Sequence, residues 1–349
     1  MPFGTLWTRG SRSVQGNPLV SASLSYTALI DVLYSGYVEA LDMASHSDHR
    51  RAKTGGALVP AWKLVSGKRS QLRRFLRNSK LLAGVVIVLA VVLAAVFAPL
   101  LAPQDPNKVD LRSRLVPPGG SVEAGSMSIL GTDQLGRDLL SRMMFGARVS
   151  LTVGLVSVLG AGALGVSLGL LAGYYGGGVD SIIMRVTDIL MSLPFILLAL
   201  LVVGLIGSSL TNVVVVFSAT SWYVYARMAR VSTLSLKKSQ YVDAARAAGA
   251  RDWRILLRHI LPNLLSPVLV IASFEMARII TAEAGLGFWG LGVPPPDPSW
   301  GNMLSDGREY IQDAWWIAAF PGLALLVTAV GINLLGDGLR DVLDPTLKV

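Results

Sequence analysis

The sequence predicts an all-α membrane protein of six transmembrane helices, with a short amphipathic helical loop at the cytoplasmic surface. Three observations carry that reading. Apolar residues make up 52% of the 349 residues and charged residues only 15%, against roughly 25% charged in an ordinary soluble domain. The apolar residues fall in long charge-free blocks: Leu81–Leu101 is 21 residues without a charge, a helix ~32 Å long against a hydrocarbon core of ~30 Å. The basic residues cluster beside these blocks, so the net charge of +9 reads as Lys and Arg in cytoplasmic loops and not as a nucleic-acid surface. With no cysteine, disulfides, thiolate metal sites and a cysteine nucleophile are excluded. The three histidines, His46, His49 and His259, are too few for a histidine metal cluster, and no metal site is expected.

Along the chain, residues 1–79 read as a cytoplasmic N-terminal extension and basic arm, partly disordered. The first 55 or so are rich in Ser and Gly and hold no span, and Arg50–Lys80 carries ten Lys or Arg. Residues 80–349 form the transmembrane domain. The first span covers about 81–102 and stops at Pro103. A polar, proline- and glycine-bearing loop follows. Arg148 and Asp180 enclose 31 uncharged residues, which hold the second span at about 149–172. Asp188 and Arg227 enclose 38 more, ~57 Å as one helix and too long for one crossing. The cluster Gly207, Ser208, Ser209, Thr211, Asn212 divides this block into spans at about 189–206 and 210–228. The last two spans cover about 263–284 and 314–336.

Charge sets the orientation. The arm before the first span holds ten Lys or Arg and the segment 227–258 holds eight, while the loop 286–313 holds only Arg308 against four acids. Positive-inside places the N-terminus and the 227–258 segment in the cytoplasm, the loops 103–147 and 286–313 then face outside, and six spans return the C-terminus to the cytoplasm. The six Lys or Arg between 103 and 148 run against the rule.

Ser239–Pro262, SQYVDAARAAGARDWRILLRHILP, reads as two short helices. Ser239 is placed to cap the first, Asp243 lies in its first turn, and four alanines favour it. Gly249 suits the left-handed residue that ends it. Asp252 is placed to cap the second, which runs to Pro262. A compact hairpin with a small-residue tip fits a groove on another protein.

At Asp243-Ala244-Ala245, then Gly249, then Leu261-Pro262, the segment resembles the EAA motif of ABC importer permeases, with Asp243 where that family has Glu and His259 where its general pattern has Ile. Three further blocks resemble the dipeptide, oligopeptide and nickel importer permeases: Gly131–Asp138 with Gly146-Ala147-Arg148, Gly292–Met303, and Asn333–Asp341. The resemblance covers about 70–349 and is to a C-type permease of the bacterial inner membrane. It implies that residues 239–262 form a coupling helix seated in an ATPase. It implies as partners a B-type permease, two ATPase subunits that use ATP and Mg, an extracytoplasmic solute-binding protein and the bilayer, with no nucleic acid. The implied function is ATP-driven import of di- or oligopeptides or similar small solutes, with half the pathway in this chain. No cofactor is expected in the chain itself: Gly67-Lys68 has Trp62 where a phosphate-binding loop needs glycine, and Arg69 follows.

Asp297, Pro298 and Trp300 sit in the proline-rich outer loop, which is expected to be rigid and to expose Trp300. Such a loop suits either docking of a solute-binding protein or simple closure of the bundle. Glu275, Arg278 and Glu283 lie in or near the fifth span as possible pathway charges. Glu275 and Arg278, three apart, are placed either to neutralise each other or to meet a zwitterionic substrate. Gly165, Gly169 and Gly173 repeat every four residues and suit close helix packing, whereas the GxGxxG match at Gly160–Gly165 lies mid-span with no strand before it. Pro194 and Pro321 are expected to kink their spans. The alternatives are a proton-coupled secondary transporter using Glu275 or Glu283, and a membrane-embedded enzyme, which lacks a catalytic constellation.

Overall fold

A computed structural model describes residues 78–122 and 127–343. All but the end of the expected extension and basic arm, with His46 and His49, lies outside the described residues. Among those described, every regular element is helical apart from two isolated β-bridges within 121–138.

The first helix, α1, is Ser79–Val96, capped by the Asn78 side chain, which accepts from the Leu81 amide at 3.1 Å. It stops short of the expected 102 because Pro99 opens a separate turn, Ala98–Leu101. Helix α2, Leu139–Tyr175, is 37 residues long and begins ten residues before the expected start. Asp138 caps it, accepting from the Ser141 amide at 2.8 Å, and its early charge, Arg142, is paired and so does not end it.

The expected third span is not one straight crossing. It is α3, Gly177–Ser192, and α4, Phe195–Ile206, bent by 91° at Leu193-Pro194. A residue before proline is driven to extended backbone, and Leu193 has ψ 133. Helix α5, Leu210–Leu236, is capped by Ser209 and runs past the expected 228. Four described helices are long and apolar enough to cross a membrane, five if the bent pair is one span. Helix α5 is not among them, since Thr, Ser and two Arg dilute its apolar residues.

Helix α6 is Gln240–Ala247. Helix α7, Asp252–Phe288, is 37 residues and unbroken. The expected stop at Pro262 is absent because a π-turn at Leu256–Ile260 places the proline in the first turn of the following α-helical stretch, where its missing N–H costs little. The Asn263 side chain also donates to the His259 carbonyl at 2.7 Å. Helix α8, Trp300–Arg308, lies within the expected outer loop, and α9, Trp316–Leu343, contains Pro321.

Apolar burial drives membrane helices together only weakly, so close packing has to do so. Gly165, Gly169 and Gly173 on α2 face Trp222, Ala226 and Arg230 of α5, where an added Cβ would stand 2.2, 2.3 and 2.7 Å from backbone oxygens. Residue numbers rise together along this seam, so α2 and α5 run parallel. The contact sets α5 alongside α2, despite its polar composition. Helices α1 and α9 are antiparallel, with Leu81 against Gly338 and Ile87 against Gly331.

Gly169→Val is expected to separate α2 from α5 and cost at least about 1–3 kcal/mol. Thermal unfolding in detergent checks this, with Gly204→Ala, where nothing lies within 4 Å, close to the parent protein.

Candidate functional site

The 239–262 segment is fixed at its base and open at its tip. Val242, Ile255 and Ile260 are fully buried and anchor it to the bundle. Asp243, Ala244, Ala247, Ala248 and Gly249 are exposed, with Tyr241 and Trp253 beside them, while Ala245 is half-buried. Gly249 ends the first helix at φ +81 and donates its amide to the Arg246 carbonyl at 3.0 Å. Leu261 and Pro262 sit inside α7, as the first residues after the π-turn.

Neither expected cap forms as drawn from the sequence. The Ser239 hydroxyl turns back to donate to the Leu236 carbonyl, and Asp252 is the first residue inside α7, not its cap. The Asp252 carboxylate is taken by a residue that the sequence did not single out. The Tyr174 hydroxyl at the end of α2 donates to Asp252 Oδ1 at 2.5 Å. The carbonyl of Tyr174 accepts from Lys237 Nζ, which also lies 5.2 Å from the ring centre. Hydrogen bonding to the Tyr174 hydroxyl raises the pKa of Arg246, opposed by desolvation and supported by the charges of Tyr174, Asp243 and Asp252. One side chain thus ties the loop to the ends of α2 and α5. The only sequence signal for it was an aromatic pair, Tyr174-Tyr175, closing an apolar block.

Deeper in the bundle, Glu275 and Arg278 form a buried ion pair, with Arg278 Nε 3.0 and 3.1 Å from the two Glu275 oxygens. The guanidinium also donates to Ser221 Oγ on α5 at 3.0 Å and stands 3.9 Å from the Phe195 ring centre on α4. Phe195 stacks on Phe217 of α5, with centroids 5.6 Å apart. The pair therefore joins α7, α5 and the first turn of α4. Glu283 is not part of this cluster. It is wholly buried against α2, accepting from Ser150 Oγ at 2.9 Å.

The far end of the bundle is a lock. Asp133 accepts from the Leu135 and Arg137 amides at 2.8 and 3.0 Å and from Arg137 Nε at 2.6 Å. Arg137 and Arg142 both reach Asp306 on α8, at 3.5 and 3.6 Å. Trp300 is not exposed as the sequence suggested: it is 2% accessible. Ser299 caps α8 and turns the indole inward, where Nε1 donates to the Met143 carbonyl at 3.1 Å. Pro298 is buried beside it and Asp297 is exposed. Trp289, in the preceding turn, is the exposed indole, at 70%.

The sequence profile of the binding-protein-dependent transport system inner membrane component matches residues 165–349. That of the N-terminal TM domain of oligopeptide transport permease C matches residues 69–118. The chain is 44% identical over 275 residues to a di/tripeptide transport system permease protein of Pseudomonas aeruginosa, covering 78% of this chain and 90% of the relative. It is 45% identical over 276 residues to a glutathione transport system permease protein of Pectobacterium atrosepticum, covering 79% and 90%. A solved methionine ABC transporter in an inward facing conformation aligns with a TM-score of 0.46 and 20% identity, over 56% of this chain and 94% of that one.

Removing one member of a buried ion pair leaves the other uncompensated at about 3–5 kcal/mol, whereas replacing both with apolar groups is often near neutral. Glu275→Met alone is expected to lower the unfolding temperature in detergent sharply, and Glu275→Met with Arg278→Met to recover most of the loss.

Proposed function

The chain belongs to the family of binding-protein-dependent transport system inner membrane components, and from that premise we propose that residues 239–262 are the surface through which partner ATPases drive it. The chain is an integral inner-membrane protein, the permease subunit of a binding-protein-dependent importer, and a transport component rather than a catalyst. In our reading it pairs with a B-type permease to form the pathway. Two ATPase subunits supply the energy from ATP and Mg, and an extracytoplasmic binding protein delivers the solute. Both termini and the 239–262 loop then face the cytoplasm, in keeping with the basic residues beside them.

The single observation that carries this reading is the build of the loop. Its exposed tip is made of small residues, Ala244, Ala247, Ala248 and Gly249, flanked by the exposed Tyr241 and Trp253, which admits close approach by a partner. Its base is tied to α2 through Tyr174, whose carbonyl in turn accepts from Lys237 at the end of α5, and it is continuous with α7 from Asp252. A displacement of the tip is thereby delivered to all three. The charges fit a supporting role better than a substrate contact. Glu275 and Arg278 satisfy each other, and Glu283 lies within the packing. The outer segment with Asp297 and Pro298 offers the binding protein a rigid surface on which Asp297 and Trp289, not Trp300, are accessible. For the solute, the di/tripeptide and glutathione permeases among the relatives favour short peptides.

Ala244→Glu and Gly249→Pro test the loop. The first puts a bulky charge on an exposed face. The second places proline at φ +81, which its ring forbids. Both are expected to leave the permease in the membrane while binding-protein-stimulated ATP hydrolysis and peptide uptake by the reconstituted complex fall to background. Parental uptake in both variants would remove the loop from the coupling path.

A further inference from the structure

The apolar anchors of the 239–262 loop, Val242, Ile255 and Ile260, fix how deeply it sits. Apolar contact has no preferred direction, so these anchors leave the angle of the loop against the bundle open. Directional bonds have to set that angle, and one residue makes them. The Tyr174 hydroxyl donates to Asp252 Oδ1 at 2.5 Å, at the start of α7. Arg246, near the end of α6, hydrogen-bonds the same hydroxyl. One oxygen therefore joins the two arms of the hairpin to each other and to α2. Among the described residues, no other side chain of α2 hydrogen-bonds the loop.

Tyr174 is itself held firmly. It is 5% accessible. Gly173, the residue before it, lies so close to α5 that an added Cβ would stand 2.7 Å from the Arg230 carbonyl oxygen. Helix α2 ends at Tyr175, and the Tyr174 carbonyl, one of those that a helix end leaves without an intrahelical partner, accepts from Lys237 Nζ. A buried ring on a fixed backbone aims its hydroxyl in one direction. The other end of the contacts is open: Arg246 also lies 3.5 Å from Asp243, which is exposed at the tip. The line Asp243, Arg246, Tyr174 thus runs from the exposed tip to the last turn of α2, with Asp252 bound to the same hydroxyl.

We propose that Tyr174 is the positioning residue that holds the two loop helices at the angle in which movement of the tip carries α2, so that ATP hydrolysis is converted into uptake. The inference rests on the coupling role proposed for the loop. It separates two properties that the loop combines. The small-residue tip seats the ATPase, and the Tyr174 hydroxyl makes the seated loop act on the bundle. Loss of a hydrogen bond to a charged group shifts a two-state balance about tenfold or more. Without the hydroxyl, docking survives and the loop swings without carrying α2.

Tyr174→Phe deletes only the hydroxyl, and Asp252→Ala deletes its acceptor. Tyr175→Phe, on the exposed neighbouring ring, is the comparison. The whole transporter is reconstituted with its binding protein, and ATP hydrolysed and peptide imported are measured in the same vesicles, with a radiolabelled di- or tripeptide that the parental transporter imports. Expected from Tyr174→Phe is stimulated hydrolysis close to the parental rate and peptide imported per ATP lower by about tenfold, with Tyr175→Phe at the parental ratio. Asp252→Ala is expected to lower the ratio similarly and the double variant no further, as for two residues that form one contact. A packing role alone would lower hydrolysis and uptake together at an unchanged ratio. An unchanged ratio in Tyr174→Phe, or losses that multiply in the double variant, would overturn the assignment. Asp252→Ala, on an exposed residue, gives the same reading if Tyr174→Phe does not assemble. The tip variants separate the two levels. If Ala244→Glu and Gly249→Pro abolish uptake while Tyr174→Phe keeps the parental ratio, the Tyr174 assignment alone is wrong; if the tip variants transport like the parent, the coupling reading itself fails.

Discussion

The close approach of α2 and α5 sets the rest of the architecture. Membrane helices gain little from hiding apolar surface from one another, and contact between backbones substitutes for it. At Gly165, Gly169 and Gly173 any side chain would press on α5 backbone oxygens, so the two helices lie backbone to backbone over about two turns. The contact also makes them parallel. Two parallel neighbours joined by one connection require that connection to cross back, and the chain does so with a bent pair instead of a full span. The elbow at Leu193-Pro194 follows from the glycine seam as much as from the proline.

The two ends of the bundle are held by different chemistry. At one end, Asp133, Arg137, Arg142 and Asp306 form a largely buried charge network, and two indoles donate to backbone carbonyls, Trp300 to Met143 and Trp316 to Thr132. Buried, charge-assisted bonds of this kind resist rearrangement. At the other end, the Asp188–Arg227 and Asp243–Arg246 pairs stand in partial or full contact with water, where ion pairs contribute little. Rigidity is therefore concentrated at the α8 end and compliance at the loop end.

Periodicity and charge made much of this legible. Charge-free blocks located α1, α2, α7 and α9, glycine spacing located the α2 seam, and Gly249 marked the end of α6. The bounds failed where a local rule was overridden by a partner. Arg148 reads as the edge of a span, yet α2 runs through it with the side chain exposed, and extends on past Arg142, which Asp133 and Asp306 neutralise. Pro262 reads as a stop until a π-turn makes room for it. Trp300 reads as an exposed loop residue because nothing local announces that Ser299 caps a helix and turns the indole inward. Helix α5 was expected as a span, yet its composition leaves it out of the helices apolar enough to cross on their own, and it lies instead along α2. Tyr174 was missed for the same reason, since a long-range hydrogen bond has no periodicity.

The continuity of α7 gives the loop its reach. A separate second helix ending at Pro262 would leave a joint between the loop and the buried ion pair. With Asp252–Phe288 unbroken, Arg278 lies on the same rod as Asp252, ~39 Å further along. That residue meets Ser221 of α5 and the ring of Phe195, two residues past the bend. The π-turn is the one place where the rod departs from α-helical winding, and such turns are often found where a helix serves function. In the coupling role proposed for the loop, force entering there has two routes to the elbow: along α7 to Phe195, and along the end of α5 through Arg227 and Arg230 to α3. The routes arrive on opposite sides of Leu193-Pro194. A rotation that shifts α5 against α7 must then change the angle between α3 and α4, because each limb is held by a different helix.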